Sequence, residues 1–439
     1  MLKDKIILSY TGFENNHSTE IDTEFHAKRV RAMQQFEKVG FPTKEIEEWK
    51  YTSLKNLLKT DFTLLTASES DIDTKKVKPF LLKGIESYKL VFLDGVFQPQ
   101  VSVTSHEGLD ICILSSAISK PKYNIVLNHY FNTIASQKDG LASLNTAFTQ
   151  EGVFIHIPKS VVVDRPVEIL YLTSGSEKEV LVQPRNLVIV DENAYVQIVE
   201  RHQSLTSQKV FTNSVTELFA HKRAIVEWYK VQNDNLQASM IDSTYISQKE
   251  QSVVSMFTFS FGGDLVRNNL HVYHEGEHIT SNLNGISMLH GTQHVDHQTN
   301  IYHQQPNCES HELYKGIFDE QSTGVFNGKV IVSKEAQKTD AYQQNDNILL
   351  TDDATINAKP QLEIFADDVK CSHGCTVGQL DKNALFYMRQ RGIPAKEAKA
   401  LLLYAFTDQV VNRIKIPALK IWITDTISKK LGVTLEIEM

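Results

Sequence analysis

Three segments of the chain, "AYVQIVE" (194–200), "AIVEWYKV" (224–231) and "SVVSMFTFSF" (252–261), decide the fold class. Each is rich in β-branched and aromatic residues and follows a polar turn, which is typical of a short β-strand. With a fourth strand near His278, they begin at intervals of 30, 28 and 26 residues. Such a repeat without a helical period favours a solenoid, in which each turn buries its apolar face against its neighbours. We predict a β-solenoid, and a β-sandwich or barrel remains the alternative.

The residues before this repeat show a helical pattern. Apolar side chains recur at intervals near three and four from Thr19 to Leu58, and Thr19 with Asp22 resembles a capping box. Gly40 is expected to end the first helix, and the following segment, "EIEEWKYTSLKNLL", predicts a second short helix. Residues 61–150 mix apolar runs with polar loops, so we predict mixed structure there.

The strand pattern continues from about Val153 to Asp368, and a helical period then returns. Asp381 is predicted to cap a helix that Gly392 closes, and Pro394 to occupy the first position of the next helix. Two apolar stripes should pack a helical domain or dock another subunit. The first contains Ala398, Leu401, Leu402, Ala405 and Phe406, and the second Leu419, Ile423, Ile427 and Leu431.

Composition limits the function classes. The 439 residues carry a net charge of −8 and no long basic block, which argues against nucleic-acid binding. The first residues contain an apolar run of only three residues, Ile6 to Leu8, and no later stretch reaches the length of a membrane span. We therefore expect a cytoplasmic protein with no membrane partner. Four unevenly placed cysteines are expected to remain thiols in a reducing compartment.

The stretch "FADDVKCSHGCTVGQLD" (365–381) carries the strongest chemical signal. On a strand, Cys371, His373 and Cys375 point to one face, with alternate residues about 6.6 Å apart. One ion could therefore reach His373 and one of the cysteines but not all three, unless Gly374 bends the chain. Thiolate and imidazole suit iron or zinc, and a second subunit would complete the ligand set. The alternative is that these small thiols fill a strand-to-loop junction.

Other candidate sites are weaker. Eight of the 16 histidines lie between His271 and His311, but none forms an H-E-x-x-H motif, so we predict exposed or core histidines. The stretch "GVFNGKVIV" (324–332) has three residues between its glycines where a P-loop has four, and Val330 replaces the required Ser or Thr. We find no nucleophile elbow, so no catalytic residue or resident cofactor site is predicted.

Several longer stretches resemble the SufB/SufD family of iron–sulfur cluster assembly proteins. They are "GFPTKEIEEWKYTSL" (40–54), "ELYKGIFDEQSTGVFNGKVIV" (312–332), "AQKTDAYQQNDNILL" (336–350), "KPQLEIFADDVKCSHGCTVGQLD" (359–381) and "ALFYMRQRGI" (384–393). Within that family, a length of 439 residues suits SufD better than the longer SufB.

The resemblance implies a mainly β fold, with a right-handed parallel β-helix core (91–375) between an N-terminal helical domain (1–90) and a C-terminal helical domain (376–439). It also implies a heterodimer with SufB through the β-helix cores, binding of the SufC ATPase through the C-terminal helices, and a possible homodimer when the chain is isolated. The function implied is that of a noncatalytic scaffold subunit that assists iron acquisition and cluster assembly.

The same resemblance identifies His373 as an iron or cluster ligand at the interface shared with SufB, with Cys371 as a second candidate. No cofactor should be tightly bound by the isolated chain; iron or an iron–sulfur cluster would be held transiently at that interface. Cys375 departs from the family pattern and is interpreted as a filler, and Cys308 receives no role. The alternatives are an exported-type β-helix enzyme acting on polysaccharide and the SufB scaffold paralogue.

Two further interpretations concern structure alone. Trp49 and Tyr51 of the "EEWKY" segment are expected to anchor the first helical domain. Residues 312–316 and the segment "GVFNGK" (324–329) are expected to form tight turns and core packing rather than to bind a ligand.

Overall fold

The computed structural model describes residues 2–16, 23–64, 74–104, 108–136, 138–174 and 179–433. The residues before the solenoid form two longer helices, followed over residues 61–150 by the predicted mixture of short strands and helices. These are α1 (Leu2–Asn16), α2 (Glu24–Val39), β1 (Thr63–Leu64), α3 (Thr74–Val77), β2 (Tyr88–Leu93), β3 (Val96–Phe97), β4 (Asp110–Ile113), α4 (Leu114–Ile118), α5 (Asn124–Tyr130) and α6 (Gly140–Ala147).

The solenoid strands follow in chain order. They are β5 (Val153–Ile157), β6 (Val167–Thr173), β7 (Val180–Val182), β8 (Arg185–Val190), β9 (Tyr195–Ser204), β10 (Val210–Ala220), β11 (Ile225–Asn233), β12 (Ser239–Gln248), β13 (Val253–Ser260), β14 (Leu265–His274), β15 (Thr280–Leu289), β16 (His294–His303), β17 (Glu309–Phe318), β18 (Thr323–Val332), β19 (Asp340–Leu349), β20 (Thr355–Ala358), β21 (Gln361–Ile364) and β22 (Lys370–Gly378). The final helices are α7 (Lys382–Gln390), α8 (Ala395–Val411) and α9 (Pro417–Lys430).

Two parallel sheets form the solenoid. Sheet A contains β5, β8, β10, β12, β14, β16 and β18, and ends in β20 and β21, which pair one after the other with the two halves of β18. Sheet B contains β6, β9, β11, β13, β15, β17, β19 and β22. Each of about eight turns adds one strand to each sheet. In sheet B, β9, β11, β13 and β15 begin within two residues of the predicted positions. The β-solenoid prediction is therefore confirmed, and the sandwich or barrel alternative is wrong.

The helical segments cover the outer faces of the two sheets. Phe36 and Trp49 of the N-terminal segment pack with Phe211, Ile241 and Leu265 on the outside of sheet A. The C-terminal helices cover sheet B, where their buried side chains form one apolar cluster with residues of five strands. That cluster includes Leu403, Val410, Leu419, Ile423, Tyr229, Phe259, Ile286 and Leu313. Both helical layers therefore stabilise the solenoid by burying its outward apolar side chains.

The "EEWKY" segment docks through Trp49, which is buried as predicted. The guanidinium of Arg267 on β14 lies 3.8 Å from the centroid of the Trp49 ring, and its Nη1 donates to the Glu48 carbonyl at 2.8 Å. Arg267 also forms a buried ion pair with Asp296 on β16. The prediction for Tyr51 is wrong, because its side chain is 40% exposed. The predicted second helix consists here of two short 3-10 turns, at 47–49 and 57–59.

The N-terminal helices differ from the prediction. Helix α1 was not predicted, although Leu2, Ile6 and Phe13 are buried along one side of it. The proposed capping box, Thr19 with Asp22, lies outside the described residues. Helix α2 is instead capped by Thr23, whose side chain accepts a hydrogen bond from the His26 amide at 3.1 Å.

The C-terminal helices are partly as predicted. The Asp381 side chain caps α7 by accepting from the amides of Asn383 and Ala384, and Gly392 has the left-handed φ of 87° that ends a helix. Pro394 immediately precedes α8 rather than opening it. The predicted stripe on α8 is wrong in part, because Leu401 and Ala405 are exposed. The buried face of α8 contains Ala398, Ala400, Leu403, Thr407, Val410 and Val411.

The second stripe is confirmed, with Leu419, Ile423 and Ile427 buried on α9. Among the described residues, none of the helices is long and apolar enough to cross a membrane.

Candidate metal centre

The candidate ligands lie on β22, the last strand of the solenoid. This strand pairs with β19 through nine consecutive parallel positions, from Lys370 opposite Asp340 to Gly378 opposite Ile348. No strand among the described residues pairs with its other edge. The backbone donors and acceptors along that edge are therefore available to another chain.

The three candidate side chains share the inward face of the sheet. Cys371, His373 and Cys375 align with Ala341, Gln343 and Asn345 of β19, which are buried inside the previous turn. The three side chains lie on one face, as the alternation of a strand predicts. Because no further turn of the solenoid follows, His373 and Cys375 are exposed, whereas Cys371 is half-buried against the apolar interior.

Straight-strand geometry holds at this site. Gly374 pairs in regular register with Gln344 and does not have a positive φ, so it does not bend the strand. Alternate side chains therefore remain about 6.6 Å apart, and one ion can contact His373 and only one of the cysteines. Within the described part of the chain, no group of three or more His, Cys, Asp or Glu side chains is placed to hold a metal ion.

Burial raises the pKa of the Cys371 and Cys375 thiols, and the nearby Asp346 carboxylate raises that of Cys375 further. Metal coordination by Cys371 would therefore release a proton. Cys375 is exposed in mid-strand, with its sulfur 3.8 Å from Asn345 Oδ1, so its interpretation as a filler is wrong. Cys308 is buried, and its thiol donates to the Gly276 carbonyl at 3.2 Å.

Large apolar side chains are exposed around the last turn of the solenoid and on the helix that follows. Phe365 is 66% exposed, and Val377 on β22 is 52% exposed. Phe386 and Tyr387 on α7 are also mostly exposed. Clustered exposure of large apolar groups is typical of protein–protein contact surfaces.

Comparisons with known proteins identify the family. The model described as "SUF system FeS cluster assembly, SufBD core domain" matches residues 171–406, and the model of the SufBD protein N-terminal region matches residues 4–169. The chain belongs to the SufBD family. It is thus a SUF-system iron–sulfur cluster assembly protein, and the alternative of a polysaccharide-acting enzyme is wrong.

SufBD relatives match along nearly the whole chain. An iron–sulfur cluster assembly SufBD family protein of Synechocystis sp. is 32% identical over 92% of this chain and 94% of its own length. The iron–sulfur cluster assembly protein SufD of Escherichia coli is 28% identical over 91% of each chain. SufD of Bacillus subtilis is 26% identical over 92% of this chain and 93% of its own length.

Two polar residues behind His373 were not recognised in the sequence of this SufBD protein. Gln343 on β19 and Glu312 on β17 occupy the same register position as His373 on β22, one turn and two turns earlier, respectively. Gln343 lies 30 residues and Glu312 lies 61 residues before His373, close to one and two lengths of the strand repeat. Polar residues at one and two repeat lengths before the candidate ligand are the signal in the sequence that could have identified them.

The expectation of tight turns at 312–316 and 324–329 is wrong, because both segments lie within strands β17 and β18. Their glycines make room inside the SufBD core. A Cβ on Gly316 would lie 2.4 Å from the Phe318 ring, and a Cβ on Gly328 would lie 2.1 Å from Gln343 Nε2. The core-packing part of the interpretation is confirmed.

The dense group of histidines is mostly structural, as predicted. His274, His297 and His303 are buried in the interior of the solenoid, whereas His278 is exposed. The Nδ1 atoms of His274 and His303 are 3.2 Å apart, and the Nε2 atoms of these residues lie within 2.9 Å of the hydroxyls of Ser281 and Ser310. His297 Nε2 is 2.9 Å from the Ser287 hydroxyl.

These interior histidines predict acid sensitivity. Burial lowers the pKa of His303 to about 3, whereas an unfolded histidine has a pKa of about 6.5. Between these values the unfolded chain binds a proton that the folded chain does not, so folding stability is lost as pH falls below 6.5. Below pH 6.5, we expect the free energy of unfolding of the wild type, measured in urea, to fall by about 1.4 kcal/mol per pH unit more than that of His303→Gln. Parallel pH curves for the two proteins would contradict this assignment.

Proposed function

We propose that this chain is the SufD-type subunit of a SUF assembly and that it acts as a noncatalytic scaffold. In this role it pairs with SufB and helps to bring iron to a cluster that forms between the two subunits. The observation that carries the proposal is the exposure of His373 on the unpaired edge strand of the last turn. SufB itself is the alternative within the family; the similarity to two proteins named SufD favours SufD.

The metal is cargo in this proposal. His373 would supply an imidazole nitrogen and Cys371 a thiolate, two ligand types that suit iron and iron–sulfur clusters. Both project from a single strand, so they can occupy only part of a coordination sphere. SufB would supply the remaining ligands, and iron or a cluster would be held only while the two subunits are together. The isolated chain is proposed to bind no cofactor tightly.

The partner surfaces follow from the same geometry. Exposed Val377 and Phe365 favour contact with the SufB core at the last turn. The outward faces of α8 and α9, where Leu401 and Ile421 are exposed, are proposed to bind SufC, the ATPase subunit. We also propose a cytoplasmic location, the division into segments 1–90, 91–375 and 376–439, and a homodimer through the last turn when SufB is absent.

Anaerobic purification of the tagged chain from its own cells tests the partnership. We expect a P-loop ATPase and a second β-helix protein to copurify with the wild type. Val377→Lys puts a charge into the proposed contact, so recovery of the β-helix partner should fall about tenfold, which corresponds to about 1.4 kcal/mol, while the ATPase is retained.

Val162→Lys is the matched control for this experiment. Val162 is 68% exposed and lies beside the first strand repeat, far from β22 in the solenoid. This variant should recover both partners in normal amounts. If Val377→Lys recovers as much β-helix partner as the wild type does, the proposed contact at the last turn is wrong.

A further inference from the structure

A column of polar side chains leads from the interior of the solenoid to His373. The column consists of Glu312, Gln343 and His373, which follow one another at the same register position on β17, β19 and β22. Glu312 is 1% exposed and Gln343 is fully buried, whereas His373 is exposed. Neighbouring strands are about 4.8 Å apart, so side chains at aligned positions can interact directly.

The first two members of the column are already hydrogen-bonded. The Thr299 hydroxyl donates to Glu312 Oε2 at 2.6 Å, and Gln343 Nε2 donates to Glu312 Oε1 at 3.1 Å. Burial raises the pKa of Glu312 to about 7. Above that pH the ionised carboxylate can only accept, so it binds the amide NH₂ group and fixes the orientation of the Gln343 amide.

The other end of this amide has no partner. Gln343 Oε1 is buried and has no hydrogen-bond partner among the described residues. A buried acceptor without a partner is costly, and a group that lies next to it in register can supply the missing donor. The Gln343 amide packs closely against Gly328 on the facing sheet, where a Cβ would lie 2.1 Å from Nε2.

The neighbouring register positions lack this feature. Cys371 lies beside Ala341, which offers no polar side-chain atom. Cys375 lies beside Asn345, whose Oδ1 already accepts from Asn347 Nδ2 at 2.7 Å. An unused, oriented acceptor is thus found directly behind His373 and behind neither cysteine.

We propose that Gln343 is a positioning residue for His373: its side-chain oxygen, which has no partner in the part of the chain that the structure describes, accepts a hydrogen bond from one ring N–H of the imidazole when His373 binds iron. The other ring nitrogen is then left unprotonated and directed outward, toward iron. Histidines that bind metals usually donate their second ring N–H to such an acceptor, which fixes the tautomer and the ring orientation. This inference rests on the proposed role of His373 as an iron ligand.

The test is an anaerobic titration of Fe²⁺ into the complex reconstituted from this chain, SufB and SufC. Gln343→Leu keeps most of the side-chain volume but removes the acceptor, so we expect Fe²⁺ affinity to fall about tenfold. The exchange variant Glu312→Gln with Gln343→Glu keeps the Thr299 contact and presents a carboxylate oxygen to His373. It should restore the affinity, which a purely structural role of Gln343 would not predict.

Gln344→Leu is the matched control, because this residue follows Gln343 on β19 but faces outward and bonds to Tyr342 and Asp346. It should bind Fe²⁺ as the wild type does. If His373→Ala lowers the affinity but Gln343→Leu does not, the positioning role is wrong and the proposed function stands. If His373→Ala itself has no effect, the proposed function fails. If Gln343→Leu does not assemble with SufB and SufC, the exchange variant Glu312→Gln with Gln343→Glu provides the test. The positioning role is wrong if that variant assembles but binds Fe²⁺ as weakly as His373→Ala does.

Discussion

Replacing His373 with alanine is expected to lower cluster formation on the assembled complex by at least about tenfold. The imidazole is exposed and makes no hydrogen bond to any described residue, so its removal should leave the fold intact. Only the ligand is lost. Iron and sulfide analysis after anaerobic reconstitution with SufB and SufC measures the yield, and size-exclusion chromatography measures assembly.

Ser372→Ala is the control for this substitution, because Ser372 is the exposed neighbour on the same strand and faces away from the solenoid interior. It should give a normal cluster yield. A normal yield from His373→Ala in a correctly assembled complex would exclude His373 as a required ligand. A low yield from both variants would instead indicate damage to the strand or its contact.

Arg267→Met is expected to give the largest loss of stability, about 3–5 kcal/mol. Arg267 and Asp296 are 2% and 1% exposed in their ion pair, so removing the cation leaves a buried carboxylate without its charge partner. The Glu48 carbonyl would lose a donor, and the Trp49 ring would lose its cation contact. Urea unfolding measures the loss, and hydrogen exchange should show faster exchange in residues 40–54.

Arg223→Met provides the comparison. Arg223 pairs with Glu192 on the surface, where the two side chains are 41% and 30% exposed, and such pairs contribute at most about 1 kcal/mol. The urea midpoint for unfolding of Arg223→Met should therefore stay close to that of the wild type. Equal effects of the two substitutions would show that Arg267 does not attach the N-terminal segment to the solenoid.

The strand repeat could be predicted from the sequence because each turn of a solenoid meets the same packing requirement. The helical faces could not. Helix α8 is apolar on nearly all sides, so the spacing of Leu401 and Ala405 did not reveal that Leu403 and Val410 face the sheet. Helix α1 carries Gly12, a poor helix former, and its packing depends on distant parts of the chain.

At the candidate site, strand alternation was sufficient to place Cys371, His373 and Cys375 on one face. Whether that face is covered depends on the end of the solenoid, which no local pattern in the sequence reports. The polar residues Glu312 and Gln343 break the expectation of an apolar interior, and only the strand register connects them to His373.

The direct contact between His373 and the cluster can be measured by electron–nuclear double resonance. This chain alone is labelled with ¹⁵N-histidine, assembled anaerobically with unlabelled SufB and SufC, loaded with a cluster and reduced to a paramagnetic state. Imidazole ligation predicts a ¹⁵N coupling in the wild-type complex that disappears in His373→Ala. A cluster that forms on the wild-type complex without any ¹⁵N coupling from this chain would contradict the shared coordination of the metal.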